Sequence, residues 1–409
     1  MRTYLMLGTA AFTLGACGGG AGPQTAGSVA PPVVNGETHS FVKPTVAKTY
    51  EAVGAVQHLE YETRSDRIGQ SGQLYAGDAN TPRDGGLTIT YDPRDAIFDI
   101  VISRGKAVVT NTLRFQDPLH RTAFGGTSEP QAGVPPTAAE KNIQYLESGS
   151  STGSATRYAT DLPLGAPGFQ YSVNTFFYQK PGTTTKYVTY GGFVQNTLGT
   201  TSVTEQVYDA NGNKVVDENG KSVTNTYLKN TYDLDRAVFA WGERTDNGAV
   251  PRSGTGTFTG DMLGVMVFND KPDVDLSSPN YFQWITGTNQ TVVDFAARSV
   301  RTTLTGTVSN PAFDSYTSRE YTIAAGSIFT ATGTATIDLV NRGGFSGNFS
   351  DARFQAPNGG PTSIVTIGGS SIDGTFFGPA AEEIGAGFRI VGGTPDQRID
   401  ITGAFTGKK

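Results

Sequence analysis

Short segments in the C-terminal part of the chain alternate, residue by residue, between two kinds of side chain. In 299–308 the even positions carry Val, Thr, Leu, Gly and Val, and the odd positions carry Ser, Arg and Thr. Segments 345–349 and 398–406 alternate in the same way, with Phe, Ile and Gly on one side. A period of two residues is typical of a β-strand with one buried face. Such strands at short intervals predict an antiparallel sheet that closes into a barrel with apolar residues inside.

The N-terminus carries an export signal. Met1 and Arg2 precede an apolar stretch over 4–14 that is too short to cross a bilayer, and Leu-Gly-Ala then leads to Cys17. These four residues resemble the lipobox of bacterial lipoproteins. The resemblance implies that residues 1–16 are a lipoprotein signal peptide and that Cys17 is the lipid attachment site. An ordinary secretory signal with a chance cysteine is the alternative.

The segment after Cys17 lacks charge and periodicity as far as residue 36 and is dominated by Gly, Pro and Ser. This composition cannot bury a core, so residues 17–38 are predicted to be a flexible tether. Acyl chains on Cys17 would hold the protein at a membrane. The next residue, Gly18, is not the aspartate that favours retention at the inner membrane in enteric bacteria. We therefore expect an outer-membrane location, lipid-anchored and on the cell surface.

The alternation in the C-terminal part also fits a membrane-spanning barrel with the two faces exchanged. We favour a soluble barrel. Charged Arg301, Arg398 and Asp400 fall on the face assigned to the outside, and the sequence ends in Lys408-Lys409 rather than in an aromatic residue. A lipid anchor would also be redundant on an integral barrel.

The chain as a whole is predicted to be all-β. Only 17% of its residues are charged, whereas Gly (53), Phe (23) and Tyr (17) are abundant, as suits strands and turns. A length of 409 residues indicates at least two domains. We place the first over 39–250, where strand-like runs such as 86–91 and 96–102 are broken by turn residues, and the second over 251–409.

Segment 372–388 is the most specific internal motif. Its sequence, IDGTFFGPAAEEIGAGF, predicts a strand, a break at Gly378-Pro379, one turn of helix favoured by Glu382 and Glu383, and a second strand released by Gly385. The segment resembles the GxFYGPxAxExGG signature of the barrel in transferrin-binding protein B and related surface lipoproteins. It departs from that signature in having Phe377 for tyrosine and Ala386 between the closing glycines.

Three further segments resemble barrel strands of the same family, in the same order along the chain: 254–260, 293–300 and 343–347. In that family each lobe pairs an eight-stranded barrel with a preceding handle domain. The resemblance therefore implies an eight-stranded antiparallel soluble barrel over 251–409, a handle-like β domain over 39–250, and a single lobe. It also implies capture of a host or environmental protein, or of a small solute, for an outer-membrane transporter.

Catalytic and metal-binding patterns are weak. Segment 149–153 fits G-x-S-x-G, but its flanks are a Ser/Gly-rich loop rather than the strand and helix of a nucleophile elbow. His39, His58 and His120 lack the spacing of zinc ligands, so no metal site and no cofactor are predicted. Segment 209–214 resembles the start of a calcium loop, although its Asn-Gly pair is also typical of a β-turn.

Two aromatic clusters, 187–193 and 281–284, are candidates for a contact surface, but aromatic residues at strand spacing more often belong to the core. No ligand-binding residue is assigned. The net charge of −6 provides no surface for nucleic acid. We therefore predict a binding protein rather than an enzyme, namely a surface lipoprotein that captures a ligand for uptake, with iron carriers among the candidates. The alternative is a structural or adhesive envelope lipoprotein without solute cargo.

Overall fold

The computed structural model describes residues 33–34, 37–38, 40–66, 70–73, 86–104, 109–116, 133–135, 142–147, 166–168, 170–269, 281–312, 323–341, 343–394 and 397–409. This part of the chain consists of β-strands with one short 3-10 turn, and it contains no α-helix, which confirms the predicted all-β class. The described residues include no helix long and apolar enough to cross a membrane. The predicted signal peptide over 1–16, Cys17 and most of the predicted tether lie outside them.

The described residues of the first part of the chain form twelve strands. They are β1 (Val33–Val34), β2 (Glu37–Thr38), β3 (Lys48–Glu51), β4 (Val53–Arg64), β5 (Gln70–Gln73), β6 (Leu87–Asp92), β7 (Ile97–Arg104), β8 (Val109–Gln116), β9 (Ile143–Glu147), β10 (Gln170–Gln179), β11 (Val188–Gln206) and β12 (Thr224–Gly242). β1 and β2 pair with each other inside the predicted tether.

Within the residues that the structure describes, the second part of the chain forms nine strands and the 3-10 turn. They are β13 (Thr255–Asn269), β14 (Tyr281–Asp294), β15 (Ser299–Ala312), β16 (Ile328–Asp338), β17 (Gly344–Gln355), the 3-10 turn Pro357–Gly359, β18 (Thr362–Ile364), β19 (Ile367–Phe377), β20 (Glu383–Thr394) and β21 (Gln397–Lys408).

β3 to β12 form a two-sheet sandwich. A six-stranded sheet has the order β5-β4-β12-β11-β10-β9, and a four-stranded sheet has the order β3-β6-β7-β8. Apolar side chains from both sheets share one buried cluster that includes Ile89, Ile100, Phe176, Phe239 and Trp241. We refer to this body as the sandwich.

The second part closes into a barrel. β13, β14, β15, β16, β17, β19, β20 and β21 pair in an antiparallel ring, and the pairing of β16 with β17 and of β13 with β21 completes it. The short strand β18 is added outside the ring, on β17. The predicted eight-stranded antiparallel barrel is confirmed.

Side chains fill the inside of the barrel. The buried cluster there includes Phe258, Leu304, Phe345, Phe388 and Phe405. On β15, the even positions over 300–308 are buried, and the odd positions are exposed or half-buried. The predicted inward and outward faces of this strand are therefore confirmed. The interior of the barrel is therefore a packed core.

β21 departs from the expected pattern. Its outward positions Asp400, Thr402, Ala404 and Thr406 are buried, like the inward ones. The alternation predicts correctly which side chains point out of the barrel. These side chains are nevertheless not exposed, because the sandwich covers this side of the barrel.

Candidate functional site at the junction of sandwich and barrel

The back face of the six-stranded sheet packs against the outer surface of the barrel. From the sandwich, Phe177, Tyr190 and Val238 contribute to a buried apolar cluster, and from the barrel Val265 and Trp284 join it. The Phe177 and Trp284 rings meet edge to face with centroids 5.8 Å apart. The two candidate contact clusters, 187–193 and 281–284, are thus largely core, and they join the two bodies.

A buried carboxylate links the two bodies by hydrogen bonds. Glu383, at the start of β20, is 4% exposed. Its Oε1 accepts a hydrogen bond from the backbone N–H of Lys186 (2.6 Å), and its Oε2 accepts from those of Tyr187 (2.7 Å) and Val188 (3.0 Å). Burial raises the pKa of this carboxyl, and the three N–H donors act in the opposite direction.

The segment predicted to contain one turn of helix is instead a tight turn between β19 and β20, so this prediction was wrong. Gly378 (φ 87°) and Ala381 (φ 59°) lie in the left-handed region, which interrupts any helix. Glu383 is used for the junction rather than for a helix end. A Cβ on Gly385 would lie 2.8 Å from Phe377 and 3.1 Å from Ala240, so this glycine belongs to the junction as well.

Backbone hydrogen bonds continue the junction. After β12 the chain runs beside the end of β19, where the N–H of Thr245 donates to the carbonyl of Phe376 (2.9 Å) and the N–H of Gly378 donates to that of Glu243 (2.8 Å). The hydroxyl of Thr245 donates to the carbonyl of Gly378 (2.6 Å). The sandwich is thus joined to the barrel by main-chain pairing as well as by apolar packing.

A groove of about 580 Å³ runs along the edge of this junction. One wall is the loop between β10 and β11, and the other is the outer surface of the barrel. Its lining residues are Thr183, Thr184, Thr185, Thr259, Gly260, Asp261, Thr288, Asn289, Gln290, Thr303, Thr305 and Lys408. We call it the junction groove. Its volume lies within the usual range for small-ligand sites, and seven of its twelve lining residues are threonines, which present both a methyl and a hydroxyl group.

The inner end of the junction groove holds a buried carboxylate. Asp261 is 4% exposed and its Oδ2 accepts a hydrogen bond from Nε2 of Gln179 (3.2 Å). Burial, and then the charge of Asp261, raise the pKa of the Tyr190 hydroxyl. Asn289 lies opposite inward-facing Leu304, so its buried side chain belongs to the barrel interior, where Nδ2 donates to the carbonyl oxygen of Thr406 (2.6 Å). At this end of the groove, Asp261 is therefore held in place by the hydrogen bond from Gln179.

A second groove of about 570 Å³ lies further around the outside of the barrel. Its lining residues are Val292, Asp294, Ser299, Val300, Arg301, Thr334, Ala335, Thr336, Ser346, Gly347 and Asn348. We call it the outer groove. It is formed by the barrel alone, and Val300 and Ala335 are the buried side chains in its lining.

The hairpin of β11 and β12 extends beyond the strands on either side of it and ends in two similar turns. Asp209 and Asp217 each accept two backbone N–H hydrogen bonds of 2.8–2.9 Å through Oδ1, closing the turns. Gly212 and Gly220 have φ values of 81° and 75°. The segment considered as a calcium loop is therefore a hydrogen-bonded turn, as the alternative interpretation expected. Nε2 of Gln206 donates to three carbonyls, those of Val207, Val215 and Val223.

Most other sequence candidates lie outside the described residues: Cys17, His39, His120 and the G-x-S-x-G segment 149–153. His58 is described and buried, on β4. The lipid site at Cys17 stays a prediction. Sequence analysis did not predict the role of Glu383 in the junction, although it identified the residue as part of the most specific motif. The junction groove was also missed, since no local sequence pattern signals it.

The fold defines a class of proteins in which an eight-stranded barrel packs beside a two-sheet sandwich. Residues 250–409 match the family model described as the C-lobe and N-lobe beta barrels of Tf-binding protein B. The second part of the chain is therefore a barrel of the transferrin-binding protein B type, as the motif at 372–388 predicted. No curated protein matches the chain in sequence.

Solved structures with similarity to the chain include several of transferrin-binding protein B. Intact Ap-TbpB, with its N and C lobes, is 12% identical, with coverage of 90% of this chain and 79% of that one and a TM-score of 0.29. A double mutant from Haemophilus parasuis Hp5 is 13% identical, with coverage of 89% and 76% and a TM-score of 0.28. The isotype 1 protein from serogroup B Neisseria meningitidis is 13% identical, with coverage of 90% and 77% and a TM-score of 0.23. The assignment of the barrel rests on the family match.

Proposed function

We propose that this protein is a lipoprotein of the outer-membrane surface, anchored through Cys17, that captures a ligand and delivers it to an outer-membrane transporter. The observation that carries the proposal is the match of 250–409 to the barrels of Tf-binding protein B. The export signal supports it, because its last four residues have the pattern of a lipobox. By the same analogy, residues 39–250 are the handle domain.

The ligand class follows from the family name. Iron carriers, transferrin among them, are the first class to test, and other proteins and small solutes come next. We do not propose an enzymatic role, a cofactor or a nucleic-acid partner, because the family match is to a binding protein and the net charge is −6.

The junction groove is the proposed contact site. The barrel interior is filled by side chains, so the ligand has to bind on the outside. Of the two grooves described above, the junction groove is shared by both bodies and holds buried Asp261 at its inner end. Apolar packing and backbone hydrogen bonds hold the two bodies together, so the ligand-facing groups on the two walls are fixed relative to each other, which lowers the entropy lost on binding.

The experiment uses residues 18–409, lipid-free and immobilised, with iron-loaded transferrin, apo-transferrin and haem-loaded haemoglobin as probes in biolayer interferometry. Native mass spectrometry of the same protein, purified gently from its host, detects a retained small solute. Capture predicts saturable binding of at least one probe or a retained solute, together with reduced uptake of that nutrient in a deletion strain. Absence of binding, of a retained solute and of any uptake defect would refute the proposal.

One observation favours the second candidate, an adhesive or structural envelope protein. The tip of the β11–β12 hairpin exposes two large apolar side chains, Tyr208 (56%) and Val216 (53%), which suits contact with another surface. An adhesive role predicts that Tyr208→Ser combined with Val216→Ser reduces cell attachment and leaves nutrient uptake unchanged. Unaltered attachment would leave this candidate without support.

A further inference from the structure

The outer groove has a floor of two rows of side chains on the outside of the barrel. Residues that lie opposite each other on paired antiparallel strands point to the same side of the sheet, so the register of β14 to β17 defines each row. The first row is Val292, Arg301, Thr334 and Asn348, and the second is Asp294, Ser299, Thr336 and Ser346. Strands lie about 4.8 Å apart and these rows about 7 Å apart, so the floor measures roughly 14 Å by 7 Å. It is therefore large enough for one small polar molecule.

Arg301 is the one cationic residue among the lining residues of the outer groove, all of which the structure describes. It is exposed, and within the described part of the chain no carboxylate forms an ion pair with its guanidinium. Arg353, which lies on the outer face of β17, is instead paired with Asp351 at 3.7 Å. A guanidinium presents its N–H donors in a planar fork that matches the two oxygens of a carboxylate. Arg301 can therefore bind an anionic group of a ligand.

Hydroxyl groups surround Arg301 on the floor of the groove. They belong to Ser299, Thr334, Thr336 and Ser346, and each can donate one hydrogen bond and accept two. The backbone N–H groups of β15 and β16 are used in pairing with the strands on both sides. The floor formed by these described strands therefore lacks the converging backbone N–H donors that commonly bind phosphate. These surroundings favour an anionic ligand that carries hydroxyl groups of its own.

Asp294 limits the charge of such a ligand. It ends the second row beside Ser299, and its Oδ1 accepts a hydrogen bond from the backbone N–H of Ala297 (2.9 Å), which holds the carboxylate in place. A fixed carboxylate repels a second negative charge and accepts hydrogen bonds from hydroxyl groups. Val292, which is 42% exposed, adds an apolar patch opposite Arg301. The groove thus matches a molecule with one carboxylate, several hydroxyl groups and an apolar ring face.

We propose that the outer groove binds a carboxylated sugar unit, of the sialic acid or uronic acid type. The carboxylate of the sugar binds Arg301, its hydroxyl groups bind Asp294 and the hydroxyls of the second row, and the C–H groups of its ring lie on Val292. The described lining contains no aromatic side chain for stacking, so a single unit binds weakly and binding increases when many copies are presented together. The site belongs to the barrel alone, and the proposal does not depend on ligand capture at the junction groove.

The test is titration of residues 18–409 with sialyllactose, followed by saturation-transfer NMR, with glucuronic acid as the second acidic probe and lactose as the neutral reference. We expect saturable binding of at least one acidic probe and at least about tenfold weaker binding of lactose. Arg301→Gln is expected to weaken binding of the acidic probe by at least about tenfold, because its charge-assisted hydrogen bonds are lost. Arg353→Gln, at an exposed arginine outside the groove, is the matched control and is expected to bind like the wild type.

Two further measurements separate a sugar site from a general anion site. Inorganic phosphate at the same concentration is expected not to displace the acidic sugar, and Thr336→Val, which removes one hydroxyl of the second row, is expected to weaken sugar binding by about threefold or more. Saturation by sialyllactose identifies sialylated glycans as the source of the ligand, and saturation by glucuronic acid alone identifies uronic acid polymers. Absence of saturable binding of both acidic probes, equal binding of lactose, displacement by phosphate, or unchanged affinity in Arg301→Gln would overturn the proposal.

Discussion

The backbone of Gly387 in the barrel lies directly against that of Gly54 in the sandwich, and a Cβ on Gly387 would lie 2.6 Å from the Cα of Gly54. We expect Gly387→Ala to force the two bodies apart and to lower the free energy of unfolding by about 1–3 kcal/mol. Urea unfolding measures the loss. Gly369→Ala on β19 is the matched control, because no atom lies within 4 Å of its added Cβ. Equal stability of the two variants would contradict this account of the junction.

Replacement of Glu383 tests the hydrogen bonds of the junction. Gln has only one acceptor oxygen and presents an NH₂ group to N–H donors, so Glu383→Gln leaves at least one of the three backbone N–H groups without its partner. We expect a loss of about 1–3 kcal/mol in the free energy of unfolding. Glu218→Gln, at an exposed position in the hairpin tip, is expected to change it by less than about 0.5 kcal/mol.

The same variant tests the titration of Glu383. Burial raises its pKa in the folded protein above the ordinary value of 4.5. The folded state therefore binds the proton more tightly than the unfolded state, and this contribution to stability is complete below the unfolded pKa and is lost as the pH rises through the folded pKa. The stability of the wild type relative to Glu383→Gln should decrease as the pH rises from about 4.5. If the stability of the wild type relative to Glu383→Gln instead increased with pH, the pKa of Glu383 would be lowered in the folded protein rather than raised.

The side chain of Gln206 holds the tip of the β11–β12 hairpin by its hydrogen bonds to three carbonyl oxygens. We expect Gln206→Leu to open the tip locally and to speed amide hydrogen exchange at Val207, Val215 and Val223 by roughly tenfold, which corresponds to about 1.4 kcal/mol. Exchange of the barrel amides serves as the internal reference and should not change. Unchanged exchange at these three amides would mean that the two turns hold the hairpin tip without the side chain of Gln206.

Lipid attachment is predicted at Cys17 alone, the only cysteine of the chain. We expect Cys17→Ser to move the protein from the detergent phase to the aqueous phase in a phase-partition experiment and to remove the acyl mass from the intact protein. Gly18→Ser, at the neighbouring position, should remain lipidated. Detergent partition of the Cys17→Ser variant would contradict the lipoprotein assignment.

Local sequence patterns predict the barrel well and the junction poorly. The alternation over 299–308 identifies the inward side chains of β15 because neighbouring strands there are also neighbours in sequence. The same alternation does not reveal that Asp400 and Thr402 are buried, since the sheet that covers them comes from a distant part of the chain. His58 and Asp235 meet only because β4 pairs with β12, and these residues are 177 positions apart in sequence.

The motif at 372–388 contains one correct and one wrong prediction. Its glycines and aromatic residues correctly indicate two barrel strands with a tight connection. The two consecutive glutamates suggest a helical turn, but the positive φ of Ala381 ends any helix, and Glu383 is required by the N–H groups of 186–188. Local propensity is outweighed here by a tertiary contact.

The most direct test of ligand capture compares the wild type with one arginine substitution in each groove. Thr305→Arg obstructs the junction groove and Thr334→Arg the outer groove, and both residues are exposed threonines on the barrel. Binding of the iron-loaded transferrin and haem-loaded haemoglobin probes, and retention of small solutes, are measured for all three proteins. The account predicts capture by the wild type and by Thr334→Arg, and at least about tenfold weaker capture by Thr305→Arg. Absence of any captured ligand in the wild type, or equal capture by Thr305→Arg, would contradict it.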